Sequence, residues 1–178
     1  MKPLVILHLS DLHFGNEGND QAKKDAKQIV LAALKNCITS VAEDWKPDVV
    51  CITGDLAWRA HADEYISAEK WISELLGDLV LTSSDLFICP GNHDLERSIA
   101  LEAPNTHEEA DSIFSVPIAE TNSLHEQFKE YSAFCARLGI PKYLCGDVES
   151  YLVGTRHHRG VVFACHNSAW FAKSGDLG

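Results

Sequence analysis

Three short stretches combine carboxylate, imidazole and amide side chains in spacings that suit metal binding or proton transfer: Ser10-Asp11-Leu12-His13, Gly54-Asp55 and Gly91-Asn92-His93-Asp94. Each directly follows an apolar run: LVILHL at 4–9, DVVCIT at 48–53 and LFICP at 86–90. A plain strand exit needs only a turn residue or two. Taken alone, Gly54-Asp55 or Asn92 reads as a turn or a helix cap, and His13 as an ordinary surface histidine. Turn chemistry has no reason to repeat such groups at all three exits, whereas a pair of hard-to-borderline divalent ions needs that donor mixture. In extended chain, residues two apart point the same way, so Asp11 and His13 are expected to reach one point while Leu12 packs behind them. Gly54 permits a tight turn that lets Asp55 face the same crevice.

The elements that must position these groups alternate in type. Between the first two strands, residues 21–45 carry Val30, Ala33, Leu34, Cys37, Ile38, Val41 and Trp45 at helical spacing, a long amphipathic helix stopped by Lys46-Pro47. Tyr65, Ala68, Trp71, Ile72, Leu75 and Leu76 mark a second helix ending at Gly77. Strand, helix, strand, helix, strand predicts βαβ units, with a parallel sheet covered by helices and strands buried on both faces. In such sheets ligands bind beyond the carboxyl ends of the strands, which is where the three polar stretches fall. The expected fold class is α/β, a layered sandwich with a central β-sheet. Residues 95–145 read as a helical cap insertion, acidic around Glu108, Glu109 and Asp111, with one helix through Leu124, Phe128, Tyr131, Cys135 and Leu138. SYLVG at 150–154 and GVVFAC at 160–165 flank TRHHR and predict two strands joined by a hairpin turn.

Composition narrows the function classes. The chain has 178 residues, 46% of them hydrophobic, enough for one globular domain with a real core. Its 26 acids against 15 bases give a formal charge of −11, which argues against a surface built to hold long nucleic acid. Six cysteines without a C-x-x-C pair, three of them inside apolar runs, point to a reducing cytoplasm. The N-terminal MKPLVILHLSDLHFG reads as a first strand, because a signal peptide needs a longer apolar region. No stretch approaches the roughly 20 apolar residues of a membrane span.

The three exits resemble the first half of the signature of the calcineurin-like metallophosphoesterases, dinuclear metal phosphohydrolases, over residues 4–94. The resemblance implies two divalent ions, of Mn, Fe, Zn or similar identity, with Asp11 and His13 on the first, Asn92 on the second and Asp55 shared. It places His93 beside the scissile phosphate, oriented by Asp94, and implies attack by a bridging hydroxide. The protein-phosphatase branch of the family resembles the pattern Gly-Asp-x-His-Gly, Gly-Asp-x-Val-Asp-Arg-Gly and Gly-Asn-His-Glu, from which Phe14, Ala57 and Asp94 depart. Ser10-Asp11-Leu12-His13, Gly54-Asp55-Leu56, Glu64-Tyr65 and Asn167-Ser168-Ala169-Trp170 look like the class III cyclic-nucleotide phosphodiesterase branch. The implied partner is a small phosphoester such as a cyclic nucleotide. Nuclease relatives share the same core motifs, and the acidic charge weighs against them.

The family pattern continues with two later histidine motifs that have no clear counterpart. His166, directly behind VVFAC, is a candidate further ligand; His157-His158 lies at the expected hairpin turn and is a poor one. Arg59 and Asn167 are candidate substrate contacts. The chain therefore reads as the N-terminal portion of a single domain, truncated before its remaining ligands, with room for further domains downstream. The rival expectation is a metal-binding or regulatory module that performs no chemistry alone.

Overall fold

A computed structural model describes residues 3–109 and 123–172. Strands β1 (Ile6–Leu9), β2 (Val49–Thr53) and β3 (Leu86–Cys89) form a parallel sheet in the order β1-β2-β3, linked by helices α1 (Gln21–Thr39) and α2 (Ala62–Asp78). The register is level: Leu9 pairs with Ile52 and Ile52 with Ile88. All three polar stretches therefore leave the sheet at one edge, as the α/β reading requires.

Alternation along each strand divides the core in two. Val50, Ile52, Leu86 and Ile88 face the helices and pack with Tyr65, Ile72 and Leu75 of α2, and with Ile38 of α1. Val49 and Phe87 face the other way, onto Tyr143 and Cys165. That second face is covered by an antiparallel sheet rather than by helices. Its order is β5-β4-β6-β7, from β4 (Tyr143–Cys145), β5 (Val148–Ser150), β6 (Gly154–His158) and β7 (Val161–Cys165).

Side chains satisfy the free edge of β3 where no strand pairs with it, as buried backbone groups require. Tyr143 Oη donates to the Ile88 carbonyl at 2.9 Å and accepts from its N–H at 3.0 Å. Arg156 donates to the Leu86 and Pro141 carbonyls and lies 3.7 Å from the Phe87 ring centroid. The second sheet does not reach β1, whose Ile6 remains 48% exposed, so β1 is buried on one face only.

Two local expectations are corrected. Val30, Ala33 and Cys37 are exposed on α1, which ends at Thr39 and turns Leu31 to the core beside the expected Leu34 and Ile38. Residues 155–159 are not a turn: Thr155 to His158 lie in β6, and the hairpin turns at Arg159-Gly160. A hairpin of β4 and β5 precedes it, unforeseen because each strand is three residues long. Of the expected insertion at 95–145, residues 110–122 lie outside the described residues, Asp111 among them. Its helix is two pieces, α3 (Ser123–Glu126) and α4 (Lys129–Arg137), and α4 packs Tyr131 and Phe134 against Tyr65 of α2.

Candidate metal centre

Beyond the sheet edge the exits of β1 and β2 stay laced together. Asp11 N donates to the Gly54 carbonyl at 3.3 Å, His13 N to the Asp55 carbonyl at 2.9 Å and Phe14 N to the Leu56 carbonyl at 2.8 Å. The lacing needs a sharp backbone, and Asp11, His13 and Asp55 all have positive φ, at 56°, 45° and 53°. Non-glycine residues there are uncommon and cost about 1–3 kcal/mol each. Asp11 and His13 thus converge through paired kinks, not through the extended alternation expected from sequence. Three of the six described non-glycine residues with positive φ lie here, Ala60, Val80 and Arg159 being elsewhere, and backbone strain at chemistry-bearing residues is a pattern of functional sites.

The β3 exit closes on the same point from the other side. A Cβ on Gly91 would overlap both the backbone N and Oδ1 of Asp55 and come within 2.9 Å of the Gly54 Cα, so only glycine lets the two loops meet. His93 N then donates to Asp55 Oδ1 at 3.0 Å. Asn92, half-buried, sits in the turn between these contacts.

Asp55 Oδ2 lies 3.8 Å from His13 Nε2, and Asp11 Oδ1 is 3.9 Å from the same nitrogen. Donor atoms of His13, Asp55 and His93 lie within 4.8 Å of one another, the one such group of histidine, cysteine and carboxylate donors among the described residues. His13 Nδ1 is buried with no hydrogen-bond partner among the described residues. Mixed imidazole and carboxylate donors converging at this range fit a borderline divalent cation.

Asp94 does something other than orient His93. Fully buried, its carboxylate accepts from Leu56 N at 3.1 Å, Ala57 N and Gly91 N at 2.9 Å, and Tyr65 Oη at 3.0 Å. Burial pushes this carboxyl above its ordinary range, against the pull of those four donors. Burial also holds the Tyr65 hydroxyl well above its usual value, so it remains a neutral donor. Asp94 therefore clamps the β2 and β3 exits to α2. His93 is held instead by Trp58, whose carbonyl oxygen is 2.8 Å from Nδ1.

Lys27, Glu64 and Arg97 also serve the site, and of the three only Glu64 lies in a stretch singled out from the sequence. Lys27 of α1 donates to the Leu12 and His13 carbonyls at 2.7 and 2.6 Å and pairs with Glu17 at 2.9 Å, pinning the β1 exit from behind. Burial raises the Glu17 carboxyl, but Lys27 and backbone donors more than offset it, leaving it below the usual range. Glu64 Oε2 accepts from the N–H groups of Trp58, Arg59 and His61, folding the β2 exit onto the first turn of α2. Arg97 Nη2 lies 3.4 Å from His93 Nδ1 and 3.5 Å from Nε2; its spacing of four from His93 was the available hint.

The remaining candidates stand apart from the cluster. Arg59 is exposed and lines an 880 Å³ groove between α1 and α2 whose lining contains none of His13, Asp55 and His93. His166 is exposed just past β7 and is not in the donor group. Asn167 is buried; its Oδ1 accepts from Ala169 N at 2.8 Å, and its Nδ2 has no partner among the described residues. His158 is 3.0 Å from Asp85, at the opposite end of β3. No described helix is long and apolar enough to cross a membrane.

Comparison with curated proteins finds no match. The family model for calcineurin-like phosphoesterases matches residues 4–172, a span that takes in all three strand exits and the second sheet. With strained acidic and histidine exits gathered at one sheet edge inside that span, the chain belongs to the calcineurin-like phosphoesterase family.

Proposed function

We propose that the chain is a phosphodiesterase acting on small phosphodiesters such as cyclic nucleotides, with Asp11 and His13 holding one divalent ion, Asn92 a second, and Asp55 shared between them. The observation that carries this reading is the placement of Asp55: Oδ1 is tied to the β3 exit through His93 N, and Oδ2 is turned to His13 on the β1 exit. A carboxylate so placed serves both halves of the site. Divalent ions held there supply Lewis acidity toward phosphoryl oxygens and lower the pKa of water at neutral pH.

The protein's own part is orientation and proton management. His93 Nδ1 donates to the Trp58 carbonyl, so Nε2 is the nitrogen that faces the ester; once Nε2 has taken a second proton, the imidazolium can pass that proton to the leaving oxygen. Arg97, whose Nη2 is 3.4 Å from His93 Nδ1 and 3.5 Å from Nε2, adds positive charge toward a phosphoryl oxygen. This assigns His93 to phosphate although its ring lies within reach of the metal donors. The acidic charge of −11 supports a small substrate over long nucleic acid.

The test is metal content and turnover side by side for wild type and His93→Ala, with cyclic nucleotides, an aryl phosphodiester and single-stranded DNA as substrates. The variant is expected to keep its metal and lose turnover by roughly 10² to 10⁴-fold. Parallel loss of metal would make His93 a ligand; turnover only on DNA would move the chain to the nuclease branch.

A further inference from the structure

We infer that Trp58 is the positioning residue for His93, its carbonyl selecting the imidazole tautomer and its indole fixing the ring plane. The inference rests on the phosphoester-hydrolysis reading above. His93 Nδ1 is 2.8 Å from the Trp58 carbonyl oxygen, which can only accept, so Nδ1 carries the proton and Nε2 is the nitrogen offered to substrate.

The indole lies nearly parallel on the imidazole, ring centroids 4.5 Å apart at 15°. It also meets His13 edge-on at 5.3 Å and 85°, and His13 stands edge-on to His93 at 4.8 Å and 80°. One indole is therefore a wall shared by a candidate metal ligand and by the ring assigned to phosphate. A hydrogen bond without the stack would let the imidazole swing about its bond to the carbonyl. A stack without the hydrogen bond would let it flip, because the outer histidine torsion is broad and two-fold. Together they leave one orientation.

Trp58 is itself anchored at the backbone. Its N–H donates to the Phe14 carbonyl at 3.0 Å and to Glu64 Oε2 at 3.2 Å, so the β1 exit and α2 both fix where its carbonyl points. Asp94, the neighbouring carboxylate, is occupied by three backbone donors and Tyr65 and leaves this task to Trp58.

The first readout needs neither metal nor turnover. Nitrogen-15 spectra of the metal-free chain, recorded above the ordinary histidine titration range and assigned with His93→Ala, should show a protonated Nδ1 and an unprotonated Nε2. The ring protons of His93 should be displaced by the indole stacked on them. Trp58→Ala keeps the carbonyl, so the tautomer should persist while that displacement vanishes; Trp58→Phe should retain part of it. The opposite tautomer, or undisplaced ring protons in the wild type, overturns the inference without requiring any Trp58 variant to fold.

The second readout is kinetic, on the Mn²⁺-loaded protein with an aryl phosphodiester. Trp58→Ala should lower kcat on the order of 10²-fold with KM little changed, and Trp58→Phe should recover most of it. A loss confined to KM, or no recovery in Trp58→Phe, overturns the positioning role. A wild type with the expected spectra and no phosphoesterase turnover would support the positioning of His93 while removing the hydrolysis reading.

Discussion

Asp55 is where the halves of the site meet, and its neighbour across the gap is a glycine for that reason. Asp55→Asn removes the charge that offsets repulsion between two cations, so it should weaken metal binding more than any other single change. The expected loss exceeds the roughly 10–100-fold typical of an outer-shell partner. Calorimetric titration with Mn²⁺ measures it, and near-wild-type affinity would take Asp55 out of the shared role. Gly91→Ala drives a methyl into Asp55 and should cost about 1–3 kcal/mol by overpacking, with metal affinity falling alongside. Gly77, on α2 with nothing within 4 Å of an added Cβ, is the control: Gly77→Ala should stabilise by about 0.5–1 kcal/mol in urea unfolding. If both alanines behaved alike, close approach would not be what Gly91 provides. At this scale the sequence disclosed the residues that carry unusual chemistry, because Asp11, His13, Asp55 and Asn92-His93 stand out behind apolar strands. It did not disclose the task of Asp94, since its four donors come from Leu56, Ala57, Gly91 and Tyr65, distant in chain and brought together only by the closed loops.

Elements were legible where one pattern excluded the others. β2 and β3 are apolar on both faces because helices cover one and a second sheet the other, and their runs are unbroken. The inward stripe of α1 is only partly legible, Leu34 and Ile38 being plain and Leu31 not, because Ile29, Val30, Leu31, Ala32, Ala33 and Leu34 are all apolar and several stripes fit a helical period. The partner decided: Trp71 Nε1 reaches the Leu31 carbonyl at 3.4 Å and sets which stripe turns inward. The sequence of β6 suggests a turn because Arg156, His157 and His158 are polar, yet Arg156 and His158 lie against Phe87 and Asp85. Asp85 fastens that hairpin to the start of β3, accepting from Thr82 N, Thr82 Oγ1 and Arg159 and lying 3.0 Å from His158. Burial raises its carboxyl, but these donors prevail and hold it below its ordinary value. A lowered carboxyl gives stability that is present above the unfolded-state value, near 3.8, and is lost as pH falls through the folded one. The urea midpoint should therefore drop on acidification through that window, and Asp85→Asn should reduce this part of the drop. An unchanged pH profile in the variant would show that Asp85 does not tie the sheets through its charge.

The whole molecule carries a charge of −11, so divalent cations will collect on it whether or not it has a site. Specific and diffuse binding separate by ionic strength, because a Debye length of about 8 Å at 0.15 M salt screens exposed carboxylates and leaves a half-buried cluster largely intact. The donors at the sheet edge are unevenly shared. Asp55 Oδ2 is 3.8 Å and Asp11 Oδ1 3.9 Å from His13 Nε2, with Asp11 exposed and outside the converging group of His13, Asp55 and His93. A second ion on the β3 side would have, among the described residues assigned to it, the shared Asp55 carboxylate and the neutral amide of Asn92. Affinity follows ligand number, charge and geometry. Residues 1–178 are therefore expected to hold one Mn²⁺ tightly per chain at physiological salt and a second one weakly, with phosphodiester turnover rising as the weaker ion is supplied. Equilibrium dialysis against graded Mn²⁺, with turnover measured on the same samples, reads both quantities. Two ions of equal, tight affinity would mean that another side chain completes the second shell, with exposed His166 past β7 as the first to substitute. Turnover already maximal with one ion would instead assign the chemistry to a single cation on the β1 side.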